Sequence, residues 1–326
     1  MGKTTICAGL GGYLRDDGRK LGFFRPIIAD NENQPVAGVD CDAVFMKHIL
    51  ALEEPVDWLC PVISDQDNLA GRTKETCARV SRGKDVVIVE STCRPSSSRA
   101  SYQIVEALGA RVIVVEDYSK NVLKPEFINR SKAFGEYLLG VVLNKVPRNQ
   151  LEHVHGEISA RFGEVGIDVL GVLPEDRVLF TLTIGELAEH IQGEILNCAE
   201  VSTGLVENLM LGAMCLDSGP EYFGRKNNKV AVVRGERPDM QLAALETSTR
   251  CLVLSGNTAS PIPTVRHKAE SKGIPIILAG GDTMATMTGI EDALGKTRFS
   301  QEEKLPRLTE IMERHFNFRA VSKGLV

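Results

Sequence analysis

Gly2-Lys3-Thr4-Thr5 stands near the beginning of the sequence and is followed by an apolar pattern at Ile6, Ala8, Leu10 and Leu14. A complete phosphate-binding loop reads G-x-x-x-x-G-K-[ST]. Its backbone N–H groups surround the phosphates, its lysine contacts the β- and γ-phosphates, and its hydroxyl contacts Mg²⁺. The sequence therefore predicts that Lys3 binds phosphates and Thr4 binds Mg²⁺ at the N-terminus of a helix, with Gly2 and Thr5 completing the loop.

The first glycine of this loop and the strand that should precede it are absent from the sequence. A hydrogen bond to a charged group contributes about 1.5–3 kcal/mol. Losing two such bonds would weaken nucleotide binding by about two to four decades. We therefore expect impaired binding of ATP and Mg²⁺ by the sequence as it stands, and a native chain that starts upstream of Met1.

Length and composition predict two domains and exclude several kinds of partner. The chain has 326 residues, more than one average core, with 43% hydrophobic and 25% charged residues and a net charge of −5. This charge gives no reason to expect a nucleic-acid or anionic membrane partner. No apolar run approaches the ~20 residues that span a bilayer, and the N-terminus does not resemble a signal peptide. We expect a cytoplasmic protein.

The cysteines and histidines do not indicate a metal or disulfide framework. The eight cysteines form no C-x-x-C pair and do not cluster with histidine. His153 and His155 are two residues apart in a helical stretch, so they would point in different directions.

Short apolar runs alternate with helical patterns along the whole chain, which is typical of parallel sheets wrapped by helices. We expect an α/β fold. A P-loop-type parallel sheet with flanking helices, its first strand missing, would occupy residues 1–175, and a second, smaller α/β domain would occupy residues 183–326. The expected strands are Gly22–Ile28, Asp85–Glu90, Arg111–Val115, Gly140–Val146, Val169–Leu173, Gly204–Cys215, Lys229–Arg234, Arg250–Ser255 and Pro275–Ala279. Thr183 and Glu186 have the spacing of a capping box, and Leu305–His315 is expected to close the second domain as a helix.

Ligands of open parallel sheets bind beyond the carboxyl ends of the strands, so residues there are candidates. Glu90 follows a buried strand and suits a Mg²⁺ ligand, with a salt-bridged carboxylate as the alternative. Asp40 and Asp42 start the helix after the second strand and either cap it or approach the same Mg²⁺, with Asp42 favoured as the metal ligand. Arg25 either meets a phosphate or carboxylate ligand or lies on the surface. Asn144 and Lys145 either bind a purine edge or form a turn.

Taken together, these positions resemble a known family. The order and spacing of Gly2-Lys3-Thr4, Phe24-Arg25-Pro26, Asp42-Ala43, Val89-Glu90, Leu143-Asn144-Lys145 and Gly171-Val172-Leu173-Pro174 are similar to those of dethiobiotin synthetase-like P-loop domains. The second half resembles a DRTGG domain in Leu182–Ala188, Gly235–Asp239, Ala243–Glu246 and Gly273–Ile276. The two in this order are similar to the N-terminal region of long-form bacterial phosphotransacetylase.

The resemblance implies that Lys3 and Thr4 hold phosphates and Mg²⁺, that Asp42 and Glu90 complete the metal site, and that Asn144 meets the base. Two departures put ligase chemistry in doubt. Arg25 stands where the synthetases have a lysine that serves their carbamate substrate, and arginine does not replace such a lysine freely. Ser91-Thr92-Cys93-Arg94-Pro95 replaces their glycine-rich loop. No transacetylase domain follows in the sequence, so we do not expect acetyl-CoA synthesis by this chain alone.

Three glycine-rich turns at strand ends of the second half form a candidate effector pocket, with ordinary βα turns as the alternative. Their candidate residues are Arg234, Gly235, Arg237, Ser255, Gly256, Gly281, Asp282 and Thr283, with Asn257 beside them.

We expect a nucleotide-binding regulatory protein that senses a small metabolite of acetyl-phosphate or acetyl-CoA metabolism and forms a homo-oligomer. The alternative is an ATP-dependent ligase or amidoligase of the dethiobiotin synthetase type.

Overall fold

The computed structural model describes residues 2–28, 40–63, 68–91, 98–119, 122–212, 219–256, 260–295, 297 and 299–325. The chain divides into two compact units. The first unit comprises Met1–Asp176 and Phe299–Val326, and the second comprises Arg177–Arg298.

All strand pairs among the described strands of the first unit are parallel. β1 pairs with β4, β2 pairs with β3, and β5, β6 and β7 form a three-stranded sheet in that order. The strands are β1 Leu21–Phe24, β2 Ile27–Ile28, β3 Val62–Ile63, β4 Val86–Val89, β5 Val112–Asp117, β6 Leu138–Val146 and β7 Val169–Pro174.

Helices flank these strands, and apolar side chains at helical spacing bury one face of each longer helix. The helices are α1 Lys3–Asp16, α2 Cys41–Ile49, α3 Val56–Leu59, α4 Leu69–Val80, α5 Ser98–Leu108, α6 Pro125–Lys132, α7 Leu151–His153 and α8 Ser159–Glu164. A π-helical turn, Val154–Ile158, joins α7 to α8. In α1 the buried face includes Ile6, Ala8, Leu10 and Leu14, the pattern that predicted the helix.

The second unit contains a five-stranded sheet in the order β11-β12-β13-β14-β9, in which only the β14–β9 pair is antiparallel. A short antiparallel pair, β8–β10, accompanies it. The strands are β8 Leu182–Thr183, β9 Glu194–Ile195, β10 Leu205–Val206, β11 Asn208–Gly212, β12 Lys229–Arg234, β13 Thr249–Ser255 and β14 Ile276–Leu278.

Two apolar clusters form the core of this unit. Successive residues of the central strands belong alternately to one cluster and to the other. One contains Ala231, Val233 and Leu252, and the other contains Val232 and Val253. Alternation of this kind is expected where both faces of a sheet are covered. The helices are α9 Ile184–His190, α10 Gly219–Phe223, α11 Pro238–Leu245, α12 Pro263–Ser271 and α13 Thr283–Gly295.

The capping box at the start of α9 is confirmed. The Thr183 hydroxyl accepts a hydrogen bond from the Glu186 backbone N–H, and the Glu186 carboxylate accepts one from the Thr183 backbone N–H. The predicted fold class is confirmed as well: a parallel α/β sheet flanked by helices is followed by a second α/β unit.

The C-terminal helices, α14 Leu305–His315 and α15 Phe318–Gly324, belong to the first unit. The sequence predicted α14 with the observed bounds but assigned it to the second domain. α14 packs on the first unit because Met312 fits against Gly9 of α1, and α15 packs there because the ring of Phe318 stacks on Tyr13 with centroids 4.0 Å apart. Nothing in the local pattern of α14 indicates which unit its apolar face covers.

Candidate functional site

The N-terminus of α1 lies at the carboxyl ends of β4 and β6. Gly2 adopts φ 76°, a left-handed conformation that suits glycine, and caps the helix. The Lys3 ammonium donates to the Ser91 carbonyl at 2.6 Å. The Thr4 hydroxyl donates to Glu90 Oε1 at 2.8 Å. Lys3, Thr4 and Glu90 are therefore brought together, with Thr5 in the same helical turn, as the sequence analysis expected.

Arg25 is the centre of this site. Its guanidinium lies 2.5 Å from Glu90 Oε1, 2.8 Å from Asp42 Oδ2 and 3.2 Å from Asp40 Oδ2. Its side chain is 15% exposed and that of Glu90 is 2% exposed. Arg25 is thus neither a surface residue nor available to an external carboxylate in this arrangement, because it neutralises the carboxylates that were expected to hold Mg²⁺.

Asp40 and Asp42 have different roles, although the sequence left the same two roles open for both. Asp40 accepts a hydrogen bond from the Ala43 backbone N–H at 2.8 Å and so caps α2. Asp42, in the first turn of the helix, pairs with Arg25. The sequence offered both acidic residues as caps or as neighbours of the Mg²⁺ and favoured only Asp42 for the metal site, so the contact of Asp40 with Arg25 was not predicted.

Burial and the neighbouring opposite charges have opposite effects on the pKa values of Arg25 and Glu90. Burial would lower the pKa of Arg25, but the charges of Glu90, Asp42 and Asp40 outweigh it and raise that pKa. Burial raises the pKa of Glu90, and although Arg25 and the Thr4 hydroxyl oppose this effect, the pKa remains above its ordinary value. Glu90 Oε2 is buried without a hydrogen-bond partner among the described residues.

The donor set has the right chemistry for Mg²⁺ but is not a metal cage by itself. Hydroxyl and carboxylate oxygens, here Thr4, Asp42 and Glu90, are the ligands that Mg²⁺ takes, usually together with substrate phosphates. Within the described ranges, no group of three or more His, Cys, Asp or Glu side chains is arranged to hold a metal ion. Mg²⁺ at this position would therefore need phosphate oxygens and a displaced Arg25.

Asn144 and Lys145 lie near the carboxyl end of β6. A Cβ placed on Gly2 would collide with the Asn144 amide, so the two residues are in close contact. Lys145 has φ 56°, and its ammonium lies 3.0 Å from Asp117 Oδ2. Both residues belong to strand β6, whose pairing with β7 is irregular between Leu143 and Val146, so the turn expected as the alternative is not formed, and binding of a purine remains a prediction.

The three glycine-rich turns of the second unit also lie together. The Ser255 and Thr283 hydroxyls are 2.9 Å apart, the Gly235 N–H donates to the Ser255 carbonyl, and the Gly256 N–H donates to the Gly281 carbonyl. Asp282 accepts a hydrogen bond from the Ala285 backbone N–H at 2.8 Å and so caps α13.

The arginines of these turns pair with neighbouring carboxylates. Arg234 pairs with Glu236 at 3.1 Å and Arg237 with Asp239 at 2.6 Å. Sequence reasoning missed Gln241, which is fully buried and donates to the Arg234 and Gly235 carbonyls. Its Oε1 has no partner among the described residues. The candidates Thr92 to Pro95 and Asn257 lie outside the described residues.

Two family models match the chain in the predicted order. An AAA domain model matches residues 1–183, and a DRTGG domain model matches residues 186–293. Among the described helices, none is long and apolar enough to cross a membrane.

Curated relatives confirm the predicted resemblance. The phosphate acetyltransferase of Pseudomonas aeruginosa is 23% identical over 98% of this chain and 49% of that enzyme. The ATP-dependent dethiobiotin synthetase of Caldicellulosiruptor bescii is 23% identical over 54% of this chain and 84% of that enzyme. The chain thus spans about half the length of the phosphate acetyltransferases it matches.

Among solved structures, the CBS and DRTGG domains of the Clostridium perfringens pyrophosphatase regulatory region, complexed with its activator diadenosine tetraphosphate, match with a TM-score of 0.31. The identity is 15%, over 42% of this chain and 56% of that one. This likeness is too distant to carry an argument.

Proposed function

We propose that this chain is a nucleotide-binding regulatory protein. It belongs to the AAA domain family through residues 1–183 and continues with a DRTGG domain. The first unit binds ATP with Mg²⁺ at the N-terminus of α1. The second unit binds a small acidic metabolite at the turns around Ser255 and Thr283. By analogy with the phosphate acetyltransferase relatives, this metabolite belongs to acetyl-phosphate or acetyl-CoA metabolism. A cytoplasmic location and a homo-oligomeric state are part of the proposal.

The observation that carries the proposal is the contact between Thr4 and Glu90 beside Lys3. An ammonium, a hydroxyl and a strand-end carboxylate at a helix N-terminus are the groups that position a triphosphate and its cation. The Arg25 ion pairs favour regulation over turnover, because a guanidinium fixed on Glu90 and Asp42 competes with the Mg²⁺ that catalysis would need. The impairment of binding expected from the incomplete loop remains a prediction.

Replacing Lys3 by alanine is expected to weaken ATP binding about 10- to 100-fold, because one charge-assisted contact to the phosphates is lost. Isothermal titration of the chain with ATP and Mg²⁺ measures the effect. Lys20→Ala is the matched control, since Lys20 is an exposed lysine between α1 and β1 and its loss changes the net charge equally. Equal affinities of Lys3→Ala and Lys20→Ala would contradict the assignment.

An ATP-dependent ligase of the dethiobiotin synthetase type is the second candidate, favoured by the same retained Lys3, Thr4 and Glu90 and by the synthetase relative. Release of ADP that depends on an added small carboxylate or diamine would decide for it. Slow or absent turnover under all these conditions would support the regulatory protein.

Replacing Arg237 by alanine is expected to weaken binding of acetyl phosphate to the second unit about tenfold, because the half-buried cation at the start of α11 would contact the anion. The measurement is titration calorimetry with acetyl phosphate, repeated with acetyl-CoA. Arg266→Ala removes an exposed arginine of α12 that pairs with Glu270, and serves as control. Equal heats for the native chain and Arg237→Ala would remove Arg237 from the site.

A further inference from the structure

All three nitrogens of the Arg25 guanidinium are engaged by carboxylates, and each nitrogen faces a different one. Nη1 contacts Glu90, Nη2 contacts Asp42 and Nε contacts Asp40. None of these four side chains is more than 18% exposed. Three negative charges therefore surround one positive charge in a half-buried position, which leaves an excess of negative charge beyond the end of β4.

Two oxygens of this cluster can still accept a cation while Arg25 is in place. Glu90 Oε2 is buried and has no hydrogen-bond partner among the described residues. The Thr4 hydroxyl donates its proton to Glu90 Oε1, so the lone pairs of its oxygen remain available as acceptors. Carboxylate and hydroxyl oxygens are ligands of hard divalent cations. The cluster thus offers more to a cation than the guanidinium uses.

The nearby ammonium of Lys3 does not neutralise this cluster. It donates to the Ser91 carbonyl at 2.6 Å. In each ion pair that the described residues form with Asp40, Asp42 or Glu90, the cation is Arg25. The charge balance of the three carboxylates therefore depends on the position of one guanidinium.

Arg25 competes directly with any divalent cation for these oxygens. A group attached to the same chain competes at an effective concentration on the order of millimolar or above. Mg²⁺ also gives up its water reluctantly, and carboxylates that surround a guanidinium are too far apart to coordinate one ion together without intervening water. We therefore expect Arg25 to exclude a divalent cation from the free chain.

A polyphosphate removes this obstacle because it offers Arg25 other acceptors. Arginine forms bidentate hydrogen bonds with phosphate oxygens, and the same phosphates supply ligands to a cation. We propose that Arg25 controls the order of binding: its guanidinium occupies the cation position in the free chain and leaves it only when a polyphosphate binds beside Lys3 and Thr4. The order rests on the proposed nucleotide function, whereas the exclusion of a free cation does not.

The exclusion is tested on the full chain without nucleotide. The probe is Mn²⁺, which prefers the same oxygen ligands as Mg²⁺, and electron paramagnetic resonance measures the unbound ion. Arg25→Met is expected to bind Mn²⁺ about tenfold more tightly than the native chain, or better, because the competing cation is gone. Adding Glu90→Gln should abolish this gain. Arg79→Met removes an exposed arginine of α4 with the same change of net charge and should match the native chain.

Arg25→Lys is the second variant and decides if Arg25→Met does not fold. It keeps the positive charge, but an ammonium is a compact point charge without the planar fork that reaches three carboxylates. Its Mn²⁺ affinity is expected to lie between those of the native chain and Arg25→Met, or above that of the native chain where Arg25→Met gives no folded protein. Equal Mn²⁺ affinities of the native chain and the folded Arg25 variants would overturn the proposal.

The order of binding is tested by titration calorimetry with a non-hydrolysable ATP analogue in EDTA. The native chain is expected to bind the analogue without metal, and Arg25→Lys about tenfold more weakly, because the bidentate contact to phosphate is lost. Binding by the native chain with Mg²⁺ but none in EDTA would overturn the order. No binding under either condition would contradict the proposed nucleotide function and the order with it, but not the exclusion measured with Mn²⁺.

Discussion

Arg25→Met is expected to lower the stability of the first unit by about 3–5 kcal/mol, the range found when one partner of a buried ion pair is removed. The reason is that Glu90, Asp42 and Asp40 would keep their charges with no cation between them. The chain has a single tryptophan, Trp58, whose neighbour Leu59 accepts the Arg25 backbone N–H at 2.7 Å. Urea unfolding followed by Trp58 fluorescence therefore reports on the first unit.

The matched control is Arg79→Met, which removes an exposed arginine that pairs with Glu75 one turn earlier in α4. Exposed pairs of this type contribute about 0.3–0.5 kcal/mol, so this variant should behave like the native chain. If Arg25→Met lowered the free energy of unfolding by no more than Arg79→Met does, the three carboxylates would be solvated and the central role given to Arg25 would be wrong.

The charge explanation can be separated from lost packing by a second substitution and by pH. Adding Glu90→Gln to Arg25→Met should recover part of the loss, because the most buried of the three charges disappears. Burial already raises the pKa of Glu90, and losing Arg25 removes a contribution that opposes this rise. In Arg25→Met the folded state therefore binds a proton more tightly than the unfolded state, so its deficit should shrink as pH falls from 7 towards 5.

Much of the fold could be predicted from local patterns. The strand Lys229–Arg234 and the helix Leu305–His315 have the predicted bounds, because continuous apolar runs and helical spacing are decided by a few neighbouring residues. The proximity of Thr4 and Glu90 was also predicted, since Thr4 follows from the phosphate-loop motif and Glu90 from the rule that functional groups gather at strand ends.

Contacts between residues that are far apart in the sequence could not be predicted in the same way. The sequence left Arg25 undecided between surface and ligand, because only the folded chain places Asp40, Asp42 and Glu90 around it. The apolar face of α14 could be predicted, but the surface it covers depends on Gly9, a small residue more than 300 positions before Met312 that leaves room for this side chain. Such complementarity is a property of pairs of surfaces and not of one segment.

Lys229 was assigned to a strand and given no other role, yet its side chain is fully buried. Its ammonium donates to Thr247 Oγ1 at 2.9 Å and to the Ser248 carbonyl at 3.0 Å. None of the ion pairs between described residues includes Lys229. Burial lowers the pKa of Lys229 from its ordinary 10.5 to about 8. A lysine of this kind makes the stability of the second unit depend on pH.

Native stability of the second unit is expected to rise between pH 8 and pH 10.5 relative to Lys229→Met, by up to about 3 kcal/mol. In this window the unfolded state holds the Lys229 proton and the folded state has released it, so unfolding takes up a proton and becomes less favourable as pH rises. Below pH 8 both states are charged and this contribution is lost.

The readout is pulsed labelling of the buried Cys251 thiol in the second unit against urea, followed by mass spectrometry. Lys226→Met, which removes an exposed lysine three residues earlier, should track the native chain across the window. A constant difference between the native chain and Lys229→Met from pH 7.5 to 10.5 would show that Lys229 keeps its ordinary pKa inside the fold.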